Sequence, residues 1–362
     1  AFMTIAPGPG TFGGRPMLLV LLSHSAVSVQ GLLGKQLSQR LAGGHDAKFP
    51  TARMPRPRSI PGATAVEMNA DDLPPLKLPK TFEVPEPRPL TVPDGQLLST
   101  LTGSVALALR FGSGIFVCDW RPGISLGSKE GTYSLFGFRD TSASLGSCKR
   151  PVQPIRLYEY EASPYCRKVR EVCGMLDLSV TMLPCPSARE GFAGELKELG
   201  GKMQVPYMVD PNTGAAMYES EDIMDYLFDT YGPGRDAIPW ITKGPFALWT
   251  SAFAAIARGF RGSKRDPKAL PENERRQPLE LWGYEGSPFV RPVRERLNEL
   301  ALPHTVVFCA RGSSNRDRMV EKAGRFQVPF LVDPNTGVEL FESDAIVDYL
   351  DAVYTSTPDA EQ

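Results

Sequence analysis

The sequence predicts an α/β protein built from two tandem copies of one unit, each a four-stranded mixed sheet with helices and each preceded by an apolar helix. Three observations carry that prediction. Leu157–Val172 (LYEYEASPYCRKVREV) answers to Leu281–Arg296 (LWGYEGSPFVRPVRER), Gln204–Gly214 (QVPYMVDPNTG) to Gln327–Gly337 (QVPFLVDPNTG), and Met217–Leu227 (MYESEDIMDYL) to Leu340–Leu350 (LFESDAIVDYL). The offset is 124 residues at Ser163 and Ser287 and 123 at Pro206 and Pro329, so a single gap separates the copies. A repeat this regular means one folding unit written twice, in which a site in one copy has a counterpart in the other.

The elements follow in chain order. Residues 1–66 hold one acid, Asp46, against seven Lys and Arg, with Ser, Ala, Gly and Pro filling much of the rest. That basic, hydroxylated, acid-poor composition reads as an organelle transit peptide without a packed fold. The apolar run Pro16–Leu22 is the alternative, the core of a secretory signal, but the acid-poor character continues far beyond it. Residues 67–96 read as a proline-rich, extended and unpacked linker (LPPLKLP, VPEPRPLTVP). Residues 97–153 hold a leading apolar helix (LTGSVALALRFGSG, Leu101–Gly114) and an irregular connection. The first unit spans 154–233. A linker over 234–277 carries a second apolar helix near Phe246–Ala257, the second unit spans 278–355, and 356–362 is a tail.

Within the first unit, Ile155–Tyr160 reads as a short buried strand, followed by a helix with an apolar stripe of Val169, Cys173 and Leu176. The second unit puts Val293, Leu297 and Leu300 on the matching stripe. Leu178–Leu183 and His304–Phe308 form the second strand of each copy, and a polar helical stretch leads to Val-Pro. Two strands joined by the turn-forming Asn-Thr-Gly make a hairpin. A last helix opens at Ser220 or Ser343, with Ile223, Tyr226 and Leu227 inward in the first copy. The order is β-α-β-α-β-β-α.

That order, with Ser-Pro-Tyr-Cys (163–166) or Ser-Pro-Phe-Val (287–290), Val-Pro and Glu-Ser in sequence, resembles the thioredoxin-like N-terminal domain of glutathione transferases and the glutaredoxins. More narrowly, the chain resembles plant and algal plastid proteins that carry two such domains in tandem. The resemblance covers Leu97 to Tyr354 and implies a thioredoxin-like fold, a chloroplast location in the stroma or at the thylakoid, and glutathione or a thiol-containing peptide as ligand.

The resemblance also implies site residues. A redox glutaredoxin has Cys where Ser163 and Ser287 stand, and serine cannot exchange disulfides. Some plant transferases use Ser there to hydrogen-bond the glutathione thiolate and lower its pKa, which makes Ser163, Ser287 and the trailing Cys166 the catalytic candidates. The same serines serve equally as helix N-caps ahead of a proline at the first helical position. Val205-Pro206 and Val328-Pro329 are implied to be cis, with the preceding residue facing a peptide ligand. Glu219-Ser220 and Glu342-Ser343, each Glu 13 residues past its proline, are implied to hold the γ-glutamyl end at a helix N-terminus. A serine N-cap is the plainer role for each pair.

Cys185 and Cys309 stand at equivalent places just after the second strand, as redox thiols near the site or as small buried hydrophobes. The six cysteines show no CxxC pair and the three histidines are scattered, so no metal site is expected. A formal charge of −1 with no basic patch excludes a nucleic-acid binder. The chain shows no complete helical second-substrate domain, so conventional glutathione conjugation is not expected. The two apolar helices are too short to span a bilayer and are expected to pack on protein, with peripheral membrane contact the less favoured alternative. The rival functional reading is a non-catalytic scaffold that docks on a plastid protein complex.

Overall fold

The computed structural model describes residues 73–76, 78–79, 82–88, 96–124, 133–134 and 138–356. All of these belong to one compact unit spanning Arg56–Gln362. The transit-peptide prediction and the tail beyond 356 lie outside the described residues.

Helix α1 (Leu97–Leu109) leads, followed by a small antiparallel pair, β1 (Trp120–Ile124) and β2 (Phe138–Ser142), in the stretch that reads from sequence as an irregular connection. The first repeat is β3 (Ile155–Glu159), α2 (Pro164–Met175), β4 (Ser179–Pro184), α3 (Ala193–Gly200), β5 (Tyr207–Asp210), β6 (Ala215–Tyr218) and α4 (Ser220–Tyr231). Helix α5 (Gly244–Ala257) leads the second repeat: β7 (Leu279–Gly283), α6 (Val290–Glu299), β8 (His304–Phe308), α7 (Asn315–Ala323), β9 (Phe330–Asp333), β10 (Val338–Phe341) and α8 (Ser343–Tyr354). The strand and helix order is the one the periodicity predicts, and the fold is two tandem thioredoxin-like units.

In each unit the first two strands run parallel and the hairpin pairs antiparallel onto the first. The units do not end there. Strands β4 and β8, the free edges of the two four-stranded sheets, pair antiparallel with each other over Ser179–Met182 and His304–Val307. The result is one eight-stranded sheet in the order β10-β9-β7-β8-β4-β3-β5-β6. Two identical edges, each carrying unpaired backbone donors and acceptors, satisfy one another, which removes the liability of both.

Helices cover both faces. Alternation along β3 sends Ile155 and Leu157 toward α2 and α4, and Tyr158 toward α3. Leu279, Leu281 and Trp282 repeat this on β7. The core beneath α2 and α4 also takes in Val306, Phe308 and Ala310 from the second repeat, so packing crosses the seam.

The leading helices pack on each other, α5 on α2 and α1 on α6. Small residues face inward on α5 (Ala247, Ser251, Ala254), and Gly103 of α1 lets the helix approach the Pro288 backbone, where a Cβ would come to 3.2 Å of the carbonyl oxygen. Trp249, Phe253 and Ile256 point outward. No helix among the described residues is long and apolar enough to cross a membrane.

Helix α2 departs from its predicted pattern. The apolar stripe of Val169, Cys173 and Leu176 is buried, but so are Arg167, Lys168, Arg170 and Glu171. The repeat explains this, because α6 brings Arg291, Arg294 and Glu295 to the same buried region. Arg170 meets Glu285 and Glu161, Arg294 meets Glu161 and Glu285, Arg110 meets Glu171, and Arg258 meets Glu295. Arg110 and Arg258 each cap the C-terminus of a leading helix, so the same ion network ties those helices to the repeats.

Candidate functional site

Strand register gathers the predicted residues of each repeat at one end of the sheet. Strand β3 delivers the chain to Ser163 at its C-terminal end. Antiparallel pairing of Tyr158 with Tyr207 sets Pro206 beside that end, and pairing of Tyr207 with Tyr218 brings Glu219 and Ser220 to it. Parallel β4 ends there too, with Glu159 opposite Pro184 and the Cys185 N–H donating to the Glu159 carbonyl at 2.6 Å. In the second repeat the pairs Trp282–Phe330 and Phe330–Phe341 do the same for Ser287, Pro329, Glu342 and Ser343, and the Cys309 N–H donates to the Gly283 carbonyl at 2.7 Å.

The two serines are buried, Ser163 at 3% and Ser287 at 2% exposure. Ser163 is the N-cap of α2, its Oγ accepting from the Cys166 N–H at 3.3 Å, with Pro164 at the first helical position. In the second repeat the helix opens later, at Val290, and Ser287 Oγ accepts the Val290 N–H at 3.4 Å. Over Ser287 lies α1, close enough that a Cβ on Gly286 would come to 3.7 Å of Leu107. Both hydroxyls therefore serve the backbone.

The buried thiols are held in their protonated form. Burial pushes the Cys166 thiol up to about 12, and the neighbouring Glu159 carboxylate adds to the shift. Cys173 is also pushed up to about 12 by burial. Cys185 and Cys309 are raised further, again by burial, with their Sγ atoms against the Leu183 and Val307 carbonyls. Cys118 and Cys148 are half-buried and free rather than joined in a disulfide. A thiol held this far above neutrality is a poor nucleophile.

The two peptide bonds Val205-Pro206 and Val328-Pro329 are cis. Glu219 and Glu342, the residues just before α4 and α8, share a backbone rarely seen outside glycine, with φ of 68° and 71°. A non-glycine residue held there costs on the order of 1–3 kcal/mol, a kind of strain that concentrates at functional positions. The conformation places the glutamate beside a glutamine that sequence reasoning passed over. Gln204 Nε2 donates to Glu219 Oε1 at 2.9 Å, and Gln327 Nε2 to Glu342 Oε1 at 2.6 Å. The signal was in view, since Gln opens the QVP segment in both copies.

The two corners differ in what covers them. Glu219 is exposed, whereas Glu342 is 8% exposed because residues 82–88 lie against it. The Arg88 N–H donates to Glu342 Oε1 at 2.6 Å, and its guanidinium meets Asp344 at 2.9 Å. The linker, read from sequence as unpacked, is therefore packed here, with Leu76 and Phe82 against the second repeat's core.

Behind each corner, Asp210 and Asp333 hold the Asn-Thr-Gly turns. Tyr226 and Tyr231 each donate to Asp210 Oδ2 at 2.6 Å, and Tyr349 and Tyr354 donate to Asp333. Burial acts to raise Asp210, but hydrogen bonds from Tyr226, Tyr231 and Asn212 outweigh it and hold the carboxyl below the usual range. A separate cavity of about 370 Å³ under the β1–β2 pair, lined by Arg139, Arg150 and Arg316 among others, contains none of the predicted site residues. Among the described residues no cluster of His, Cys, Asp or Glu is placed to hold a metal ion.

Residues 157–235 and 281–358 each match the family profile of the glutathione S-transferase N-terminal domain. No curated protein matches the chain. A Bombyx mori glutathione transferase solved in complex with GTT is 30% identical over 24% of this chain and 39% of its own, with a TM-score of 0.20. The chain thus spans about two fifths of that transferase. The matched segments coincide with the two repeats, so each thioredoxin-like unit is similar to the glutathione S-transferase N-terminal domain.

Proposed function

We propose that this protein binds glutathione or a thiol-containing peptide in a plastid, at the first repeat, and that any thiol chemistry it carries is weak. The observation that supports this reading is the contrast at the two glutamates. Glu219 stands open at the N-terminus of α4 beside Gln204, while Glu342 is already hydrogen-bonded to Arg88. In this reading Glu219 receives the ligand's ammonium, the N-terminal amides of α4 take its carboxylate, and the Val205-Pro206 segment lies along its backbone. Ser163 and Cys166 would hold the turn in shape rather than activate a thiol, given their burial and the raised Cys166 pKa.

The experiment is calorimetric titration of reduced glutathione into the full chain. One site per chain is expected, lost in Glu219→Ala and retained in Glu342→Ala. A folded protein that gives no saturable heat overturns the proposal.

A second reading, a scaffold that docks on a plastid protein complex, is favoured by one surface. Trp249, Phe253 and Ile256 of α5 share an outward face, with Trp249 64% exposed, and the Trp240 ring lies tilted against Phe246 at 5.6 Å between ring centroids. Leu98 and Leu101 of α1 are exposed as well. Apolar area of this kind marks interaction surfaces on soluble proteins. A partner recovered from plastid extract with the wild type and lost with Trp249→Asp would support that reading, whereas equal recovery with both proteins would sink it.

A further inference from the structure

The chain's own contact at the second repeat shows what its Gln-Glu-Ser corner recognises. Residues Phe82-Glu83-Val84-Pro85-Glu86-Pro87-Arg88 lie without regular secondary structure against α8 and the Val328-Pro329 loop. One residue is read through both backbone groups: the Arg88 N–H donates to Glu342 Oε1 at 2.6 Å, and its carbonyl accepts from Gln327 Nε2 at 3.2 Å. The Arg88 side chain pairs with Asp344 at 2.9 Å. Six residues upstream, the Phe82 ring packs on Tyr349 at 5.5 Å between centroids. The two prolines between them are half-buried, while Val84 and Glu86 face solvent. These are the components of extended-peptide recognition: backbone hydrogen bonds for affinity, with a cation site and an aromatic site for selectivity.

The first repeat carries matching residues at the repeat offset, with Glu221 standing for Asp344: Gln204, Glu219, Ser220 and Tyr226 for Gln327, Glu342, Ser343 and Tyr349. The internal Gln-to-Glu hydrogen bond is kept. Here the corner is open, with Glu219 exposed, and Tyr226 is half-buried where Tyr349 is fully covered. Acids at positions 219, 221 and 222 crowd the start of α4, so the corner presents acceptors and negative charge to a visitor. One difference tunes it. Lys168 reaches Glu221, whereas the equivalent position on α6 is Pro292 and leaves Asp344 to Arg88.

We propose that the corner formed by Gln204, Glu219, Glu221 and Tyr226 is a docking groove for an extended, proline-containing segment of a partner protein with an arginine and an upstream aromatic. The second repeat holds such a segment in cis through Phe82 and Arg88; the first takes one in trans. The competition of Lys168 for Glu221 makes the trans site the weaker, suited to reversible docking. This proposal rests on the Arg88 contacts and not on glutathione binding, so either can fail without the other.

The test is fluorescence anisotropy with a labelled peptide of residues 80–90 added to the full-length chain, whose second corner is already filled. Saturable binding at one site is expected. Glu219→Gln, which keeps the side chain's shape, and Tyr226→Ala should each weaken it about tenfold, the scale of one charge-assisted hydrogen bond or one buried aromatic contact. Substituting alanine for the arginine or the phenylalanine within the peptide should weaken it to a similar degree. Absence of saturable binding overturns the proposal, as does binding that Glu219→Gln and Tyr226→Ala leave intact.

Discussion

Thr181 of β4 and Thr305 of β8 face each other across the centre of the sheet, their Oγ1 atoms 2.9 Å apart, and they are the same residue of the two repeats, 124 positions apart. An approximate twofold axis therefore runs between them. Around it, buried ion contacts of the first repeat recur in the second: Arg170 with Glu285 and Arg294 with Glu161, both at 3.0 Å. Sheet, helices and leading segments of both halves meet at this seam.

Charges buried this deeply are dangerous to leave alone. Arg170 also donates to the Glu161 carbonyl at 3.1 Å and pairs with Glu159, so its loss leaves Glu159 buried without its cation and takes one of several cations from Glu161 and Glu285. Removing one partner of such a network costs about 3–5 kcal/mol. Arg170→Met is expected to lower the thermal midpoint sharply and to keep both repeats melting in a single transition, because the shared sheet couples them. Differential scanning calorimetry checks both points. Two separated transitions in the wild type would show that the seam does not couple the halves.

Backbone strain at Glu219 reverses an ordinary preference. Alanine normally beats glycine by roughly 0.5–1 kcal/mol in regular structure. At a φ of 68° the Cβ is what costs, so Glu219→Gly is expected to be more stable than Glu219→Ala by about 1 kcal/mol. Both lack the carboxylate, so both should lose ligand equally. Urea melts of the two variants provide the comparison, and alanine as the more stable one would mean that the strain is absent.

The repeat made the fold legible, because two copies of each strand and helix confirm one another, and strand order alone brought Ser163, Pro206 and Glu219 to one end of the sheet. The seam was not legible. Arg170 and Arg294 sit between apolar positions as solvent-facing residues of any amphipathic helix do, and only the approach of the other repeat buries them. Nothing in the repeat pointed to Phe82 or Arg88 either, since their partner residues lie more than 200 positions away and proline-rich composition reads as unpacked chain. Ser163 carries two readings for another reason: a helix cap and a thiol-polarising hydroxyl demand the same residue in the same place.

The thiols give a direct chemical readout of that burial. Cys166, Cys173, Cys185 and Cys309 are buried with raised pKa values, and Cys118 is pushed up to about 11, mainly by burial with a contribution from Asp119. Iodoacetamide at pH 8 should therefore label Cys148 first and leave the four buried thiols unmodified until the protein is denatured, as read by peptide mass spectrometry. Rapid labelling of Cys166 in the folded protein would restore it as a reactive residue.

His304 supplies the pH dependence. It sits on β8 opposite Met182, its Nδ1 against the Leu302 carbonyl at 3.0 Å and its buried Nε2 without a partner. Burial pushes the imidazole down from 6.5 to about 4, with Arg294 and Arg170 adding to the effect. Above pH 6.5 the ring is neutral whether the chain is folded or not, so it adds no pH dependence there. As pH falls below 6.5 the unfolded chain takes up a proton that the folded one refuses, and stability declines until the folded ring protonates near 4. At 1.36 kcal/mol per pKa unit the full loss is about 3 kcal/mol. Glu159 works in the opposite direction, because burial raises its carboxyl and the folded state then binds the proton more readily. That contribution is common to the wild type and to His304→Leu, so the difference between them isolates the histidine. The leucine variant is expected to lose less stability than the wild type between pH 6.5 and 4, and to differ little in slope above pH 7, in urea melts across that range. Parallel pH profiles for the two proteins would place His304 in water rather than in the seam.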